Sequence, residues 1–276
     1  MSAAAASAPD EAQLLASRDI ARVRAPNPGM LTLSGTNTWI VGRDPAWVVD
    51  PGPLLDEHLA EVSKVLEQRG GLGGVALTHD HSDHGEGVRA LIERHPAPLA
   101  AAGAQADVRL EEGVRFGPLQ AVATPGHAPD HFALIAAGAC FSGDAVLGDG
   151  SVFISPYRGA MCAYLIALER LAEREDFAVI CPGHGPVVAD GHRKIAEYLS
   201  HRREREAALL DALAQGGRTT SELLDAAWPE VPDALRGAAA ATLAAHLDKL
   251  EEEGRLPQGV QRPALEALLA AHGGPP

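Results

Sequence analysis

The chain has 276 residues, enough for one large α/β domain or a domain with an appendage, and its 46% hydrophobic and 22% charged residues exclude a disordered or fibrous chain. A formal charge of −14 repels phosphate backbones wherever no basic patch overrides it, and 4% aromatic residues leave few platforms for stacking bases, so nucleic acid is not the default partner. Cys140, Cys162 and Cys181 are odd in number and form no CxxC, which argues against a disulfide framework and for a reducing compartment.

Residues 1–10 are Ala-rich but lack a basic segment and a run of large apolar residues, so they do not read as a secretory signal, and 1–19 are expected to be a flexible tail. No stretch approaches the roughly 20 apolar residues of a membrane span. A cytoplasmic location is expected. Over residues 20–190, short Val/Ile/Leu runs alternate with Gly/Pro punctuation and helical stretches, the pattern of a layered α/β domain. The pattern predicts strands at 31–33, 38–41, 47–50, 75–78, 120–124, 132–136, 139–142 and 178–181. Helices are predicted at 55–68, where Leu55, Leu59, Val62 and Leu66 form one stripe, at 88–93, and at 161–174 with Leu165, Leu168 and Leu171. One long polar helix, 192–215 within a connecting segment 191–217, ends at Gly216-Gly217.

Beyond it the composition changes. Residues 218–276 show helical patterns at 219–224, 233–253 and 263–272, and Gly254-Arg255-Leu256 turns the chain as a short wing would. Two readings stand side by side: a winged-helix or helix-turn-helix unit, and a helical cap that only packs on the main domain.

The densest cluster of ligand-type residues, His79-Asp80-His81-Ser82-Asp83-His84, follows directly on the strand predicted at 75–78. In nearly extended chain, residues two apart face the same side, so His79 and His81 can serve one cation, while Asp83 and His84, past a turn, can serve a neighbour. Two zinc ions need more donors than one cluster offers. The others sit at strand ends beside glycine: His127 in Thr124-Pro125-Gly126-His127, Asp144 in Ser142-Gly143-Asp144, and His184 in Pro182-Gly183-His184-Gly185. Loops past the ends of several strands converge on one rim of an α/β fold, so seven N/O donors can meet there. His131, beginning the next strand, can line the same site. His58, His95, His192, His201, His246 and His272 lie in helical or polar segments and are expected at the surface.

These motifs, with Val49-Asp50-Pro51-Gly52, resemble the metallo-β-lactamase superfamily over nearly the whole chain. The resemblance implies a four-layer αββα sandwich with a dinuclear metal site on its rim. It implies that His79, His81 and His127 hold one metal, that Asp83, His84 and His184 hold the other, and that Asp144 bridges them. Asp50 is implied to orient the site through hydrogen bonds. Asn27-Pro28-Gly29-Met30, Gly35-Thr36-Asn37-Thr38, Met161, Tyr164 and the C-terminal unit resemble the β-lactamase-like protein 2 branch, in which a small winged-helix-like domain follows the hydrolase domain and a characterised member cuts single-stranded RNA.

Such a site implies a hydroxide bridging two metal ions that attacks an ester-like, thioester or lactone carbonyl or a phosphodiester, with Asp83 and Asp144 as catalytic carboxylates. Two zinc ions are expected, with iron or manganese compatible with the same donors. The acidic charge favours a small ester-like substrate. Single-stranded RNA is the alternative, for which His201, Arg202, Arg203 and Arg205 offer a basic run interrupted by Glu204 and Glu206 and better read as a solvated helix face. A β-lactamase is disfavoured, because authentic lactamases of the superfamily lack the bridging aspartate. A DNA-binding regulator is disfavoured too: Asp248, Glu251, Glu252 and Glu253 outweigh Arg236 and Lys249 on the would-be recognition helix. The C-terminal helices are expected to clamp over the site or form a homodimer contact, with no duplex DNA or membrane bound. Tyr157 and Arg158, in the loop after Asp144, are candidate substrate contacts.

Overall fold

Side chains that alternate in and out along each strand give this chain two apolar faces per sheet, and both must be covered. The structure, a computed structural model, describes residues 10–264. The first sheet holds β1 (Ile20–Arg24), β2 (Asn37–Val41), β3 (Ala46–Val49), β4 (Leu72–Ala76), β5 (Leu99–Ala101) and β6 (Val108–Arg109) in that spatial order. It is antiparallel from β1 to β3 and parallel from there to β6. The second holds β7 (Arg115–Phe116), β8 (Leu119–Ala123), β9 (Phe132–Ala136), β10 (Ala139–Gly143) and β11 (Val179–Pro182), in the order β11-β10-β9-β8-β7, with only the β10–β11 pair parallel.

Trp39, Val41, Val49 and Ala76 from one sheet meet Ala121, Leu134, Phe141 and Cys181 from the other, with the Trp39 and Phe141 rings 6.1 Å apart. One residue along, Ile40, Val48 and Val75 face the opposite way and are covered by Leu59, Val62 and Leu66 of α2 (Asp56–Glu67) and by Leu91 of a second helix, Val88–Arg94. On the second sheet Val122, Ile135, Cys140 and Ile180 face outward under Met161, Tyr164 and Leu168 of the helix Ala160–Ala172 and Ile195 and Tyr198 of the helix Gly191–Ala214. The result is the four-layer αββα sandwich. Each large side chain buried this way contributes about 1.5–3 kcal/mol.

Four expectations are corrected. Residues 31–33 are a turn, not a strand: Leu33 has φ +53°, the Gly29–Leu33 bridge closes a tight loop, and Thr32 Oγ1 donates to the Asn27 carbonyl. Residues 11–19 are no tail, because α1 (Glu11–Ala16) buries Leu15 beneath β1 and Glu11 pairs with Arg22 at 2.6 Å. His58 and His246 are buried, not at the surface. The predicted helix 233–253 begins as a 3-10 turn, Asp233–Leu235. From residue 265 on, the helix predicted at 263–272 lies outside the described residues, as does His272.

In chain order the remaining helices are α3 (Ser82–Gly85), α4 (Val88–Arg94), α5 (Ala160–Ala172), α6 (Gly191–Ala214), α7 (Thr220–Ala227) and α8 (Arg236–Glu252). The long α6 is more than a connector. Its first half packs Ile195, Tyr198 and Leu199 into the sandwich, and its second half packs Leu209 and Leu213 against Leu223, Leu224, Leu243 and Leu247 of α7 and α8. Thr219 and Glu222 form a reciprocal capping box that starts α7. Gly254, at φ +68°, ends α8 and lets the Arg255 N–H reach the Leu250 carbonyl. The chain then returns so that the Gln261 N–H meets the Arg218 carbonyl at 2.7 Å, the position of a wing. Among the described residues no helix is long and apolar enough to cross a membrane.

Candidate metal centre

Four strand ends deliver the cluster. His79 and His81 follow β4, Asp83 and His84 ride on α3, His127 lies in the loop after β8, Asp144 directly follows β10, and His184 comes two residues after β11. Glycine beside the donors allows the close approach: a Cβ at Gly183 would sit 2.5 Å from Asp144 Oδ1 and 2.7 Å from His84, and Gly143, at φ +46°, lies against Thr78 and His131.

The ligand atoms group as His79, His81 and His127; His79, His84 and Asp144; and Asp83, His84 and His184, each within 4.8 Å. Nδ1 of His81 lies 2.9 Å from His79 Nε2 and 3.1 Å from His127 Nε2, and Nε2 of His84 lies 3.3 Å from Nε2 of His184. Asp144 Oδ2 is 3.6 Å from His127 Nε2 and 3.4 Å from His184 Nε2, and Asp83 Oδ2 is 3.2 Å from His184 Nε2. Ligands of a tetrahedral zinc with bonds of about 2.0–2.1 Å are themselves roughly 3.3 Å apart. These separations fit that shell.

Protonation separates the two halves. Burial, reinforced by His84, His131 and His127, holds His79 well below the usual imidazole value, and burial holds His127 at about 4 against the pull of Asp144. Their lone pairs are free to ligate. On the other side burial works to lower His84 and His184, yet Asp144, Asp50 and Asp83 carry His84 well above the usual value and Asp144 with Asp83 brings His184 to about 9. Carboxylates there draw positive charge. Asp144 Oδ1 is buried without a hydrogen-bond partner, with His84 Nε2 3.5 Å away, an acceptor that a cation would satisfy. The donor set, its spacing and this orphaned oxygen all fit a divalent metal.

Around the donors lies a scaffold of hydrogen bonds. Asp50, in a left-handed conformation that Asp tolerates, accepts the Thr78 N–H on Oδ1 at 2.8 Å and the Thr78 hydroxyl on Oδ2 at 2.7 Å, and its Oδ2 lies 2.9 Å from His84 Nδ1. That bond directs His84 Nε2 at the site. His131 is fixed by Thr124 Oγ1 at 2.7 Å and accepts the Asp144 N–H at 3.1 Å. Unassigned from the sequence are Thr36, whose hydroxyl reaches Asp83 Oδ2 at 3.4 Å, Asn27, which holds Thr36, and Asn37, which donates to the carbonyls of Pro182 and Gly185 on either side of His184. The Gly35-Thr36-Asn37-Thr38 motif held that signal, but only the fold shows what it touches.

Other candidates fall elsewhere. Tyr157 is half-buried against the second sheet's outer core, and exposed Arg158 pairs with Glu252 at 3.1 Å; neither lines the cavity beside the site. The basic run on α6 is not a solvated face throughout. Arg202 is buried and donates to Ser151 Oγ and the Val152 carbonyl, Arg205 pairs with Glu230, and Arg203 reaches Glu169.

A sandwich of this topology with a His/Asp rim defines the metallo-β-lactamase class. Residues 219–259 match the family model for the beta-lactamase associated winged helix domain. The chain is 31% identical over 259 residues to the lactamase-like protein aptB of Emericella nidulans, covering 86% of this chain and 82% of that protein. It is 29% identical over 265 residues to a beta-lactamase-like protein 2 homolog of Drosophila melanogaster, covering 86% and 89% of the two chains. The crystal structure of a beta-lactamase domain protein from Burkholderia ambifaria superposes with a TM-score of 0.72 at 21% identity, over 87% of this chain and 89% of that one. The chain therefore belongs to the metallo-β-lactamase superfamily, carries a C-terminal winged-helix domain, and is similar to the beta-lactamase-like protein 2 homologues.

Proposed function

We propose that this protein is a metal-dependent hydrolase of ester-like carbonyl substrates, thioesters or lactones among them, in which His79, His81 and His127 would hold one divalent cation, Asp83, His84 and His184 would hold a second, and Asp144 would serve as a ligand between these two sets. The observation that carries this reading is the packing of seven His/Asp donor side chains, three imidazole pairs among them separated by only 2.9–3.3 Å, on one rim. Bound cations would supply Lewis acidity and water ionised near neutral pH.

The chain's own groups do the rest. Asp50 keeps the His84 ring turned, His131 pins the backbone of Asp144, and Thr36 steadies Asp83. Asp83, the more exposed of the two carboxylates at 28% against 10% for Asp144, is the group placed to relay the proton released by the ionised water to the leaving group. Zinc suits the donors, and iron or manganese accept the same set.

Carbonyl rather than phosphodiester chemistry is favoured because the basic run of α6 is largely tied to protein partners: Arg205 to Glu230, Arg203 to Glu169, and one amino group of Arg202 to the Val152 carbonyl. A role as a duplex-DNA reader is disfavoured by the burial of α8 from Ala241 to Leu247, which leaves no continuous face for a groove. The test is a panel of thioester, lactone, β-lactam, bis-p-nitrophenyl phosphate and single-stranded RNA, with zinc and with chelator. Chelator-sensitive turnover of a thioester or lactone is expected. Cleavage of RNA alone, or no cleavage by protein carrying two metals per chain, overturns the reading.

A further inference from the structure

A cavity of about 580 Å³ opens beside the rim, with His127 and Asp144 in its wall. Much of its lining belongs to the C-terminal unit, Trp228 and Leu235 from the link between α7 and α8 and Ala238 and Ala239 from α8, joined by Leu31 and Leu33 of the turn after β1. Small residues on α8 leave the space, and large apolar ones enclose it. The wall is fixed to the sandwich, since the Ile154 N–H donates to Thr242 Oγ1 at 3.1 Å and Ala245 sits in the outer core of the second sheet.

From this geometry we propose that the C-terminal winged-helix unit is the acyl-selectivity wall of the enzyme, and that the cavity takes the uncharged, largely apolar acyl group of the substrate while its carbonyl lies at His127 and Asp144. The proposal rests on the hydrolase reading above. Three features carry it. The chamber is continuous with the donor rim, so a group seated in it is joined directly to the reacting carbon. Its size is that of clefts that enclose most of a drug-sized ligand. Its cations Lys194, Arg202 and Arg205 stand among the carboxylates Asp149, Glu197 and Glu230: Arg205 pairs with Glu230 and bonds the Ala227 carbonyl, Arg202 donates through one amino group to Ser151 and Val152 while its Nε has no partner, and the ammonium of Lys194 lies over the Tyr198 ring at 5.7 Å. Cations matched by carboxylates do not make a phosphate track. An acyl chain needs no counter-charge and gains from every methylene it buries.

The experiment has a turnover arm and a binding arm. With zinc-loaded protein, p-nitrophenyl esters from acetate to dodecanoate are compared, and kcat/KM should rise about fourfold per added methylene until the chamber is full. Ala238→Phe, which fills the chamber, and Leu235→Gln, which makes its wall polar, should each cut the ratio of decanoate to acetate kcat/KM at least tenfold. Lys64→Ala, on α2, should leave that ratio unchanged. In the binding arm, tridecan-2-one is titrated by calorimetry into chelator-treated protein, where no turnover occurs, and both chamber variants should weaken its affinity tenfold or more. If no ester is hydrolysed but the ketone binds and Ala238→Phe weakens it, the hydrolase reading fails and the chamber stands. A flat chain-length profile, or ketone affinity indifferent to both chamber variants, overturns the proposal.

Discussion

The donor rim and the chamber wall line the same cavity, yet they are built by opposite means. The rim is polar, carried on loops, and fixed by hydrogen bonds such as Asp50 to His84 and His131 to Asp144. The wall is apolar, carried on helices, and fixed by the Leu209, Leu213, Leu223 and Leu243 packing that binds α6, α7 and α8 together. Chemistry and stability are therefore separable here: rim substitutions should cost activity, and wall substitutions should cost the C-terminal unit or its selectivity.

The sharpest way to break that separation is Asp144→Ala. The side chain lies on the rim and makes no packing contribution to either sheet core, so hydrolysis should fall by roughly a thousandfold or more while the melting temperature stays near the parent's. Circular dichroism and steady-state kinetics on the same sample check it. His81→Ala should behave alike. A variant that unfolds would show that the donors hold the sandwich together, and the contrast would be lost.

Leu243→Ala is its mirror. Leu243 is fully buried between α6, α7 and α8, so the cavity left should cost about 2–5 kcal/mol. Metal content should stay that of the parent, since no rim residue is touched. Urea titration followed by tryptophan fluorescence, to which Trp228 contributes beside Trp39 and Trp47, reads the stability, and metal analysis reads the rim.

Between these extremes lies Asp50→Asn, which keeps a residue tolerant of φ +51° but puts an amide nitrogen or oxygen where one carboxylate served Thr78 and His84. Metal affinity should drop about 10–100-fold with little change in melting temperature. Competition with a chromophoric chelator measures it. Equal affinity in parent and variant would mean that His84 needs no such support.

The two sides also differ in how far the sequence revealed them. The rim could be read because the cluster from His79 to His84 follows directly on an apolar run, and His127, Asp144 and His184 each lie beside glycine at the end of another, so the donors announce both their chemistry and their place. The apolar runs at 38–41, 132–136 and 178–181 likewise marked strands, and the pattern reached four of the second sheet's five strands but only β2, β3 and β4 of the first; β1, where Arg22 and Arg24 interrupt the apolar residues, went unpredicted. β5, β6 and β7 are two or three residues long, too short to show a period. Leu31 and Leu33 looked like a strand because both are apolar, whereas their burial comes from the cavity and their turn from Asn27-Pro28-Gly29. His246 looked like a surface residue on a helix of mixed character, since nothing local says that α8 is packed on several sides. The chamber itself joins residues 31, 144 and 239, and no local pattern encodes such a meeting.

The smallest effect belongs to the wall and is electrostatic. Glu206 of α6 pairs with Lys249 at 2.8 Å and with Arg255 at 3.2 Å, tying α6 to α8 and the turn beyond it. His246, whose Nδ1 stands 3.8 Å off, and Lys249 at hydrogen-bond distance pull the Glu206 carboxyl from 4.5 down to about 2, against the opposing effect of burial. A carboxylate more acidic folded than unfolded contributes stability above its unfolded value and loses it as pH falls through the folded one. The wall should therefore weaken between pH 4.5 and about 2, by on the order of 1 kcal/mol once solvent screening of a partly exposed pair is allowed for. Glu206→Gln should lower stability at pH 7 by a similar amount and flatten the acid limb of the C-terminal unit's unfolding curve. Comparing urea midpoints at pH 6 and pH 3 for parent and variant reads the difference directly. If both lose the same stability over that interval, the Glu206 pairs contribute nothing to holding the wall in place, and apolar packing alone must do so.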